Sequence, residues 1–257
     1  MTNQNSSKYP TYDKHPLDDF SKNGYCRYLV QSGDISPLIK LGINISKPSS
    51  LVREPKDAGS MKVDKITMNN NSSYYSELLS KTGLFQAVQK DVDEFIYPRK
   101  ISHLVSDKLT KSLRWHRDSY RHNGKQIGPR PSPLKLAIYL TNVDKYSGVT
   151  GINNLLNNKD FNNRYLDTLL AYLLEPFAYF PQLSAGSAML FDGRLLHCRS
   201  AHKSGHFRHA IIFSLSKDIT KLPKIEDIPK ADFGLLHTLM KDNKSYGSRV
   251  KKILKID

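Results

Sequence analysis

Apolar positions change period along the chain, and the change divides it into two halves. Residues 18–25, with Phe20 inside and Gly24 near the end, read as a short helix with a glycine stop. Cys26-Arg27-Tyr28-Leu29-Val30 then reads as a strand. The stretch 47–71, with two prolines, several serines and an asparagine run, reads as loop. Helical spacing appears at 74–79 and again at 84–95, where Pro98 stops it. From residue 101 the texture becomes that of short strands between Gly, Pro, Asn and Asp clusters: 101–105, 113–118, 134–143, 177–180, 187–191 and 207–216. One helix interrupts them, with Tyr165, Leu166, Leu169, Leu170 and Leu173 forming an apolar stripe closed by Pro176. Helices followed by a run of strands predict an α+β, mainly β fold, with helices bracing one face of a β-sandwich.

Length adds one boundary. A chain of 257 residues can bury a core as one domain, here 17–257, with core strands at about 101–216. Residues 1–16 read as a flexible tail, and 217–257 as a basic extension with a helix predicted at 233–240. Apolar content of 39% with 25% charged residues excludes global disorder. No apolar run approaches the roughly 20 residues that cross a bilayer. No secretory segment opens the sequence, so a cytoplasmic location is expected. Cys26 and Cys198 alone make neither a disulfide framework nor a four-thiolate zinc site. The net charge of +15 attracts anions in general. Without a nucleic-acid-binding motif, it predicts a small anionic or carrier- or lipid-linked substrate rather than a dedicated nucleic-acid partner.

The candidate chemistry lies among the strands. In 113–118 the residues His116 and Asp118 are two apart, so a strand projects both from one face. An imidazole and a carboxylate side by side are two-thirds of a 2-His-1-carboxylate triad, which leaves three open positions on iron(II). 2-Oxoglutarate occupies two of these and oxygen the third. A glycine-led apolar strand, 185–192, ends in a turn that delivers His197. Arg208 opens the next strand, 208 − 197 = 11 residues later, where its guanidinium can clamp the distal carboxylate of 2-oxoglutarate. His202 and His206 are rivals for the third ligand in a Ser/Gly/Lys loop, while His209 alternates away from Arg208. His103, His122 and His237 read as ordinary histidines, although His122 is close enough in sequence to touch substrate. Trp115 points away from His116 into packing, and the Cys198 side chain alternates away from that of His197. Leu134, Leu136, Ile138 and Leu140 share one strand face; Lys135, Ala137, Tyr139 and Thr141 share the other. If the second face lines the pocket, Tyr139 can hydrogen-bond the cosubstrate carboxylate. Arg117, Arg121 and Arg130 cluster near the mouth and either meet an anionic substrate or form a solvated basic loop.

These motifs resemble the phytanoyl-CoA dioxygenase-like family. The resemblance rests on Trp115-His116-x-Asp118, on Gly186-Ser187-x-x-Leu190-Phe191-Asp192-x-x-Leu195-x-His197, and on Arg208. The Phe20-x-x-x-Gly24-Tyr25 opening and the run from Leu136 to Asp144 add to it, so that it covers roughly 17–216. It implies a double-stranded β-helix (jelly-roll) core, with His116, Asp118 and His197 as iron(II) ligands and Arg208 as the 2-oxoglutarate anchor. The chain departs from the family at 153–163, where an Asn-rich stretch replaces the usual Pro-Gly-Ser-His segment. The expected reaction is hydroxylation of an unactivated carbon, because Asp118 leaves no room for the chloride of a halogenase. Desaturation or ring formation stays open, since the same iron centre performs it with a different substrate pose. The further alternatives are a nucleic-acid dealkylase and a non-catalytic jelly-roll binding protein. The dealkylases resemble one another in a second arginine six positions on, where this chain has Ser214.

Overall fold

The protein is described by a computed structural model, in which residues 10–53, 60–92, 96–106, 115–118, 134–156, 163–203 and 205–216 are described. Its strands are β1 (Thr11–Lys14), β2 (Tyr25–Ser32), β3 (Leu51–Arg53), β4 (Ser60–Val63), β5 (Tyr97–Ser106), β6 (Leu134–Tyr139), β7 (Thr150–Ile152), β8 (Ala188–Asp192), β9 (His197–Arg199) and β10 (Arg208–Ser216). Its helices are α1 (Phe20–Asn23), α2 (Ser36–Ile45), α3 (Lys65–Asn70), α4 (Ser72–Ser80), α5 (Leu84–Val92) and α6 (Arg164–Leu173). Eight strands form one antiparallel sheet in the order β1-β2-β8-β6-β10-β5-β4-β3, and β7 pairs with β9 in a second sheet. Single bridges extend the small sheet, from His116 to His197 on one side and from Ile152 to Tyr179 on the other.

Strand alternation decides what each face of the large sheet carries. Leu134, Leu136 and Ile138 of β6 point to the helices, together with Ile211, Phe213 and Leu215 of β10. There they pack on Leu38 of α2, Leu78 and Leu79 of α4, and Leu84, Phe85 and Val88 of α5. The α5 side chains recur at 84, 85, 88 and 92, the one-sided helical spacing read from the sequence. Ala137, Tyr139, Met189, Phe191 and Ala210 alternate inward, toward Val149 and Ile152 of the small sheet side. The face that carries Tyr139 is therefore the inner one.

Local chemistry accounts for the ends of the elements. Asp19 caps α1 by accepting from the Ser21 and Lys22 amides, and Gly24, at φ 72°, closes it by donating its N–H to the Phe20 carbonyl. The expected helix, stop and strand follow in that order. The stretch 47–71 departs from expectation. Its described residues hold β3, β4 and α3 rather than loop, with the Asp64 carboxylate accepting from the Thr67 amide to start α3. The strand expected at 177–180 is also absent, because a 3-10 turn takes Glu175–Phe177 and only the Tyr179 bridge remains.

Helix α6 forms as expected, but its apolar stripe faces outward. Tyr165, Leu169 and Leu173 are 79%, 57% and 64% exposed, whereas Asp167 and Ala171 are fully buried. Polar anchoring sets this orientation. The Asp167 carboxylate accepts from Arg117 Nε at 3.0 Å, and Thr168 Oγ1 donates to the Trp115 carbonyl at 3.3 Å. No helix among the described residues is long and apolar enough to cross a membrane. The helix expected at 233–240 lies outside the described residues.

Candidate metal centre

A two-way backbone bridge places the two histidines opposite each other. The His116 N–H donates to the His197 carbonyl at 2.9 Å, and the His197 N–H donates back at 3.0 Å. Their rings lie 4.3 Å apart, tilted by 50°. Asp118, two residues past His116, is tethered by its N–H to the Gly193 carbonyl at 2.8 Å. Asp118 Oδ1 lies 3.7 Å from His116 Nε2 and 4.0 Å from His197 Nε2. One donor atom from each of the three falls within 4.8 Å of the others, the only such group among the described residues. A metal forming bonds of roughly 2.1 Å bridges donors up to about 4 Å apart, which covers Asp118 Oδ1 with either histidine, and two imidazoles with one carboxylate are a donor set suited to a single ion.

Protonation favours the same use. His197 Nδ1 lies 2.8 Å from the Leu195 carbonyl, which can only accept, so the ring hydrogen sits on Nδ1 and Nε2 presents its lone pair to the site. Burial, aided by nearby His116, pushes the His197 pKa down to about 4, which keeps this imidazole neutral at neutral pH. Burial opposes ionisation of Asp118, but the fields of His197, Lys135 and His116 outweigh it and hold the carboxyl below its ordinary range. The centre thus presents the lone pair of His197 Nε2 and the anionic oxygen of Asp118 beside His116.

Arg208 stands at the start of β10, opposite Ser106 of β5, and is 3% exposed. Its guanidinium lies over the Tyr139 ring at 5.3 Å. Gly148, at φ +83°, allows this approach, since a Cβ there would stand 2.7 Å from Arg208 Cδ. Tyr139 meets Arg208 through its ring. Its hydroxyl donates to Thr150 Oγ1 at 2.9 Å and accepts from the Thr150 N–H at 3.1 Å.

Arg117 requires a correction. It was expected near the mouth of the pocket as a substrate contact, but it is 5% exposed and its guanidinium is committed to the fold. Besides Asp167, it donates to the Arg194 carbonyl at 2.7 Å and the Leu156 carbonyl at 2.8 Å. The described part of the strand expected at 113–118 holds only the single bridge at His116, and between it and Asp118 the Arg117 side chain runs to Asp167 instead, where a buried charge needs those acceptors. Arg121, His122 and Arg130 lie outside the described residues. Trp115 packs with Leu156, Ala171, Leu196 and Cys198, as expected. His209 points to the helices, where Nδ1 meets Ser46 Oγ at 2.9 Å, and His103 meets the Tyr75 hydroxyl at 3.1 Å. His202 and His206 are not in the donor cluster; they line a cavity of about 710 Å³ with Ser147, Asn142 and Arg208.

Two inner-face residues escaped the sequence reading as site residues. Lys135 places its ammonium 3.3 Å from Asp118 Oδ2 and 3.1 Å from Ser214 Oγ. Arg199, two positions after His197 on the same strand face, is 8% exposed and donates through Nη1 to the hydroxyls of Ser60 and Ser106. The period-2 spacing from Tyr139 and from His197 was the available signal for both.

No family model matches the sequence, and no curated protein does. Solved structures do share the fold. HygX from Streptomyces hygroscopicus, solved with nickel, 2-oxoglutarate and hygromycin B, superposes with a TM-score of 0.62 at 14% identity, covering 78% of this chain and 85% of HygX. EctD from S. alaskensis, solved with 2-oxoglutarate and 5-hydroxyectoine, gives 0.59 at 15% identity, covering 88% of this chain and 90% of EctD. SnoK, a non-heme alpha-ketoglutarate-dependent carbocyclase from nogalamycin biosynthesis, gives 0.58 at 15% identity over 77% and 81%. The likeness is one of fold: α+β, mainly β, as the sequence predicted.

Proposed function

We propose that this protein is an Fe(II)- and 2-oxoglutarate-dependent oxygenase of the phytanoyl-CoA dioxygenase-like kind. Its proposed reaction is hydroxylation of an unactivated C–H of a small molecule that is anionic or linked to a carrier or lipid. The observation that carries the reading is the cluster of His116, Asp118 and His197 donors within 4.8 Å, the single such group among the described residues. Shared fold with HygX, EctD and SnoK supports it.

Nε2 of both histidines and Oδ1 of Asp118 would hold the metal and leave its remaining positions to cosubstrate and oxygen. Iron(II), when bound with 2-oxoglutarate and O2, supplies the oxidising power, with succinate and carbon dioxide as coproducts. The chain supplies position and enclosure. The Leu195 carbonyl fixes the His197 tautomer. Arg208 would pair with the distal carboxylate, its guanidinium steadied over the Tyr139 ring. Tyr139 supports that pairing through its ring, because Thr150 engages its hydroxyl. Arg121 and His122, 121 − 118 = 3 and 122 − 118 = 4 residues past Asp118, are the proposed substrate contacts, and the +15 charge supports an anionic substrate. Ser214 stands where the dealkylases resemble one another in an arginine, and it is bonded to Lys135, which favours a small-molecule substrate over nucleic acid.

The test is binding followed by turnover. Purified protein should bind Fe(II) or Mn(II) and then 2-oxoglutarate, and in air it should form succinate with iron but not without. His116→Ala should abolish succinate formation while the thermal melt stays within a few degrees of wild type. Failure of the wild-type protein to bind metal or 2-oxoglutarate would sink the reading and leave a jelly-roll binding protein. Incorporation of oxygen into the product separates hydroxylation from ring closure.

A further inference from the structure

The two oxygens of Asp118 face different partners. Oδ1 faces both histidine nitrogens, at 3.7 and 4.0 Å, whereas Oδ2 faces the Lys135 ammonium at 3.3 Å. Lys135 is itself pinned. It sits on the inner face of β6, cross-strand from Ser214 of β10, and its ammonium donates to Ser214 Oγ at 3.1 Å. The Lys135 side chain is 23% exposed and that of Asp118 24%, so the pair sits in a partly enclosed site where charges interact more strongly than in bulk water.

We propose that Lys135 is a positioning residue that keeps Asp118 a one-oxygen ligand and tunes the charge of the centre toward dianionic keto acids. The inference rests on the oxygenase reading above. Two physical consequences follow. A carboxylate whose second oxygen is held by an ammonium is not free to chelate a metal through both, so a coordination position stays open for the cosubstrate. The ammonium also cancels the Asp118 charge, so a divalent ion raises the centre to two positive charges and a keto-acid dianion returns it to neutrality. Without Lys135 the same sequence runs from one negative charge, through one positive, to one negative. Lys135 therefore disfavours the bare metal and favours the dianion, two effects of opposite sign.

The opposite signs make the test specific. Mn(II) affinity is measured by titration calorimetry. Affinity for 2-oxoglutarate is measured on the iron(II)-loaded protein without oxygen, through the visible charge-transfer absorption of an iron(II) keto-acid chelate. In Lys135→Met, Mn(II) should bind as tightly as in wild type or more tightly, while 2-oxoglutarate binding weakens about ten-fold or more. Lys135→Gln keeps a donor for Oδ2 without the charge, so its 2-oxoglutarate affinity should fall between the two. It also serves as the second variant if the methionine protein folds poorly. Unchanged 2-oxoglutarate affinity in both variants would overturn the proposal, and so would equal weakening of metal and cosubstrate, the mark of a merely structural lysine. A wild-type protein that binds neither ligand would refute the oxygenase reading instead, and the two failures are told apart on the first titration.

Discussion

The two faces of the large sheet are built from the same strands and do opposite work. On β10, Ile211, Phe213 and Leu215 point to the helices into a continuous apolar core, while Arg208 and Ser214 point inward, to the Tyr139 ring and the Lys135 ammonium. On β6, Leu136 and Ile138 join the core, while Lys135 and Tyr139 face Asp118 and Arg208. A strand two residues in period can thus carry stability on one side and chemistry on the other. The lesson is that substitutions one position apart should fail in different assays.

The sharpest test of this division is at the inner centre. His197→Ala removes a metal donor and should reduce succinate formation to background, with a melting temperature close to wild type. Breaking a buried charge pair beside the centre comes next. Arg117→Met leaves the fully buried Asp167 carboxylate without its cation and should cost about 3–5 kcal/mol in denaturant unfolding, with metal affinity per folded molecule retained. Of comparable size on the helix side, Phe213→Ala should cost roughly 3–5 kcal/mol through lost burial and a cavity, again without loss of metal binding by the folded fraction. If it silences the centre without destabilising the protein, the two faces are not separable.

Acid reads the helix face by a different route. Burial pushes His103 down to about 3 and His209 down to about 4, with the neighbouring charges of His209 and Arg208 respectively adding to the effect. Both side chains stay neutral in the fold, whereas the unfolded chain protonates them near the ordinary value of about 6.5. The unfolded state then binds more protons, so their contribution is full above about pH 6.5 and is lost as pH falls toward 4. Urea midpoints should fall over that window, and His103→Gln should flatten the profile. The smallest effect is expected at Tyr139→Phe, which keeps the ring over Arg208 and loses only the hydroxyl bonds to Thr150. About 1 kcal/mol of stability should go, and the Michaelis constant for 2-oxoglutarate should move less than three-fold.

How much of this was legible beforehand follows from range in sequence. His116 and Asp118 are two residues apart, and an extended backbone alone puts them on one side. The same rule placed Trp115 and Cys198 in packing and turned His209 from Arg208. Helical spacing gave the apolar stripe of α6 but not the side it faces, which is outward for Tyr165, Leu169 and Leu173. Asp167 and Thr168 instead anchor the helix to Arg117 and the Trp115 carbonyl, contacts made across 167 − 117 = 50 and 168 − 115 = 53 positions.

Pattern alone thus determined the mainly β class, the α1 stop at Gly24, and a metal-binding reading from two imidazoles and a carboxylate, because these depend on backbone period and side-chain chemistry. Tertiary structure alone decided which face of β6 is inward, that Arg117 is a brace, and that Lys135 holds Asp118 Oδ2. Those depend on which distant groups can satisfy a buried charge, and only the folded chain brings such groups within reach.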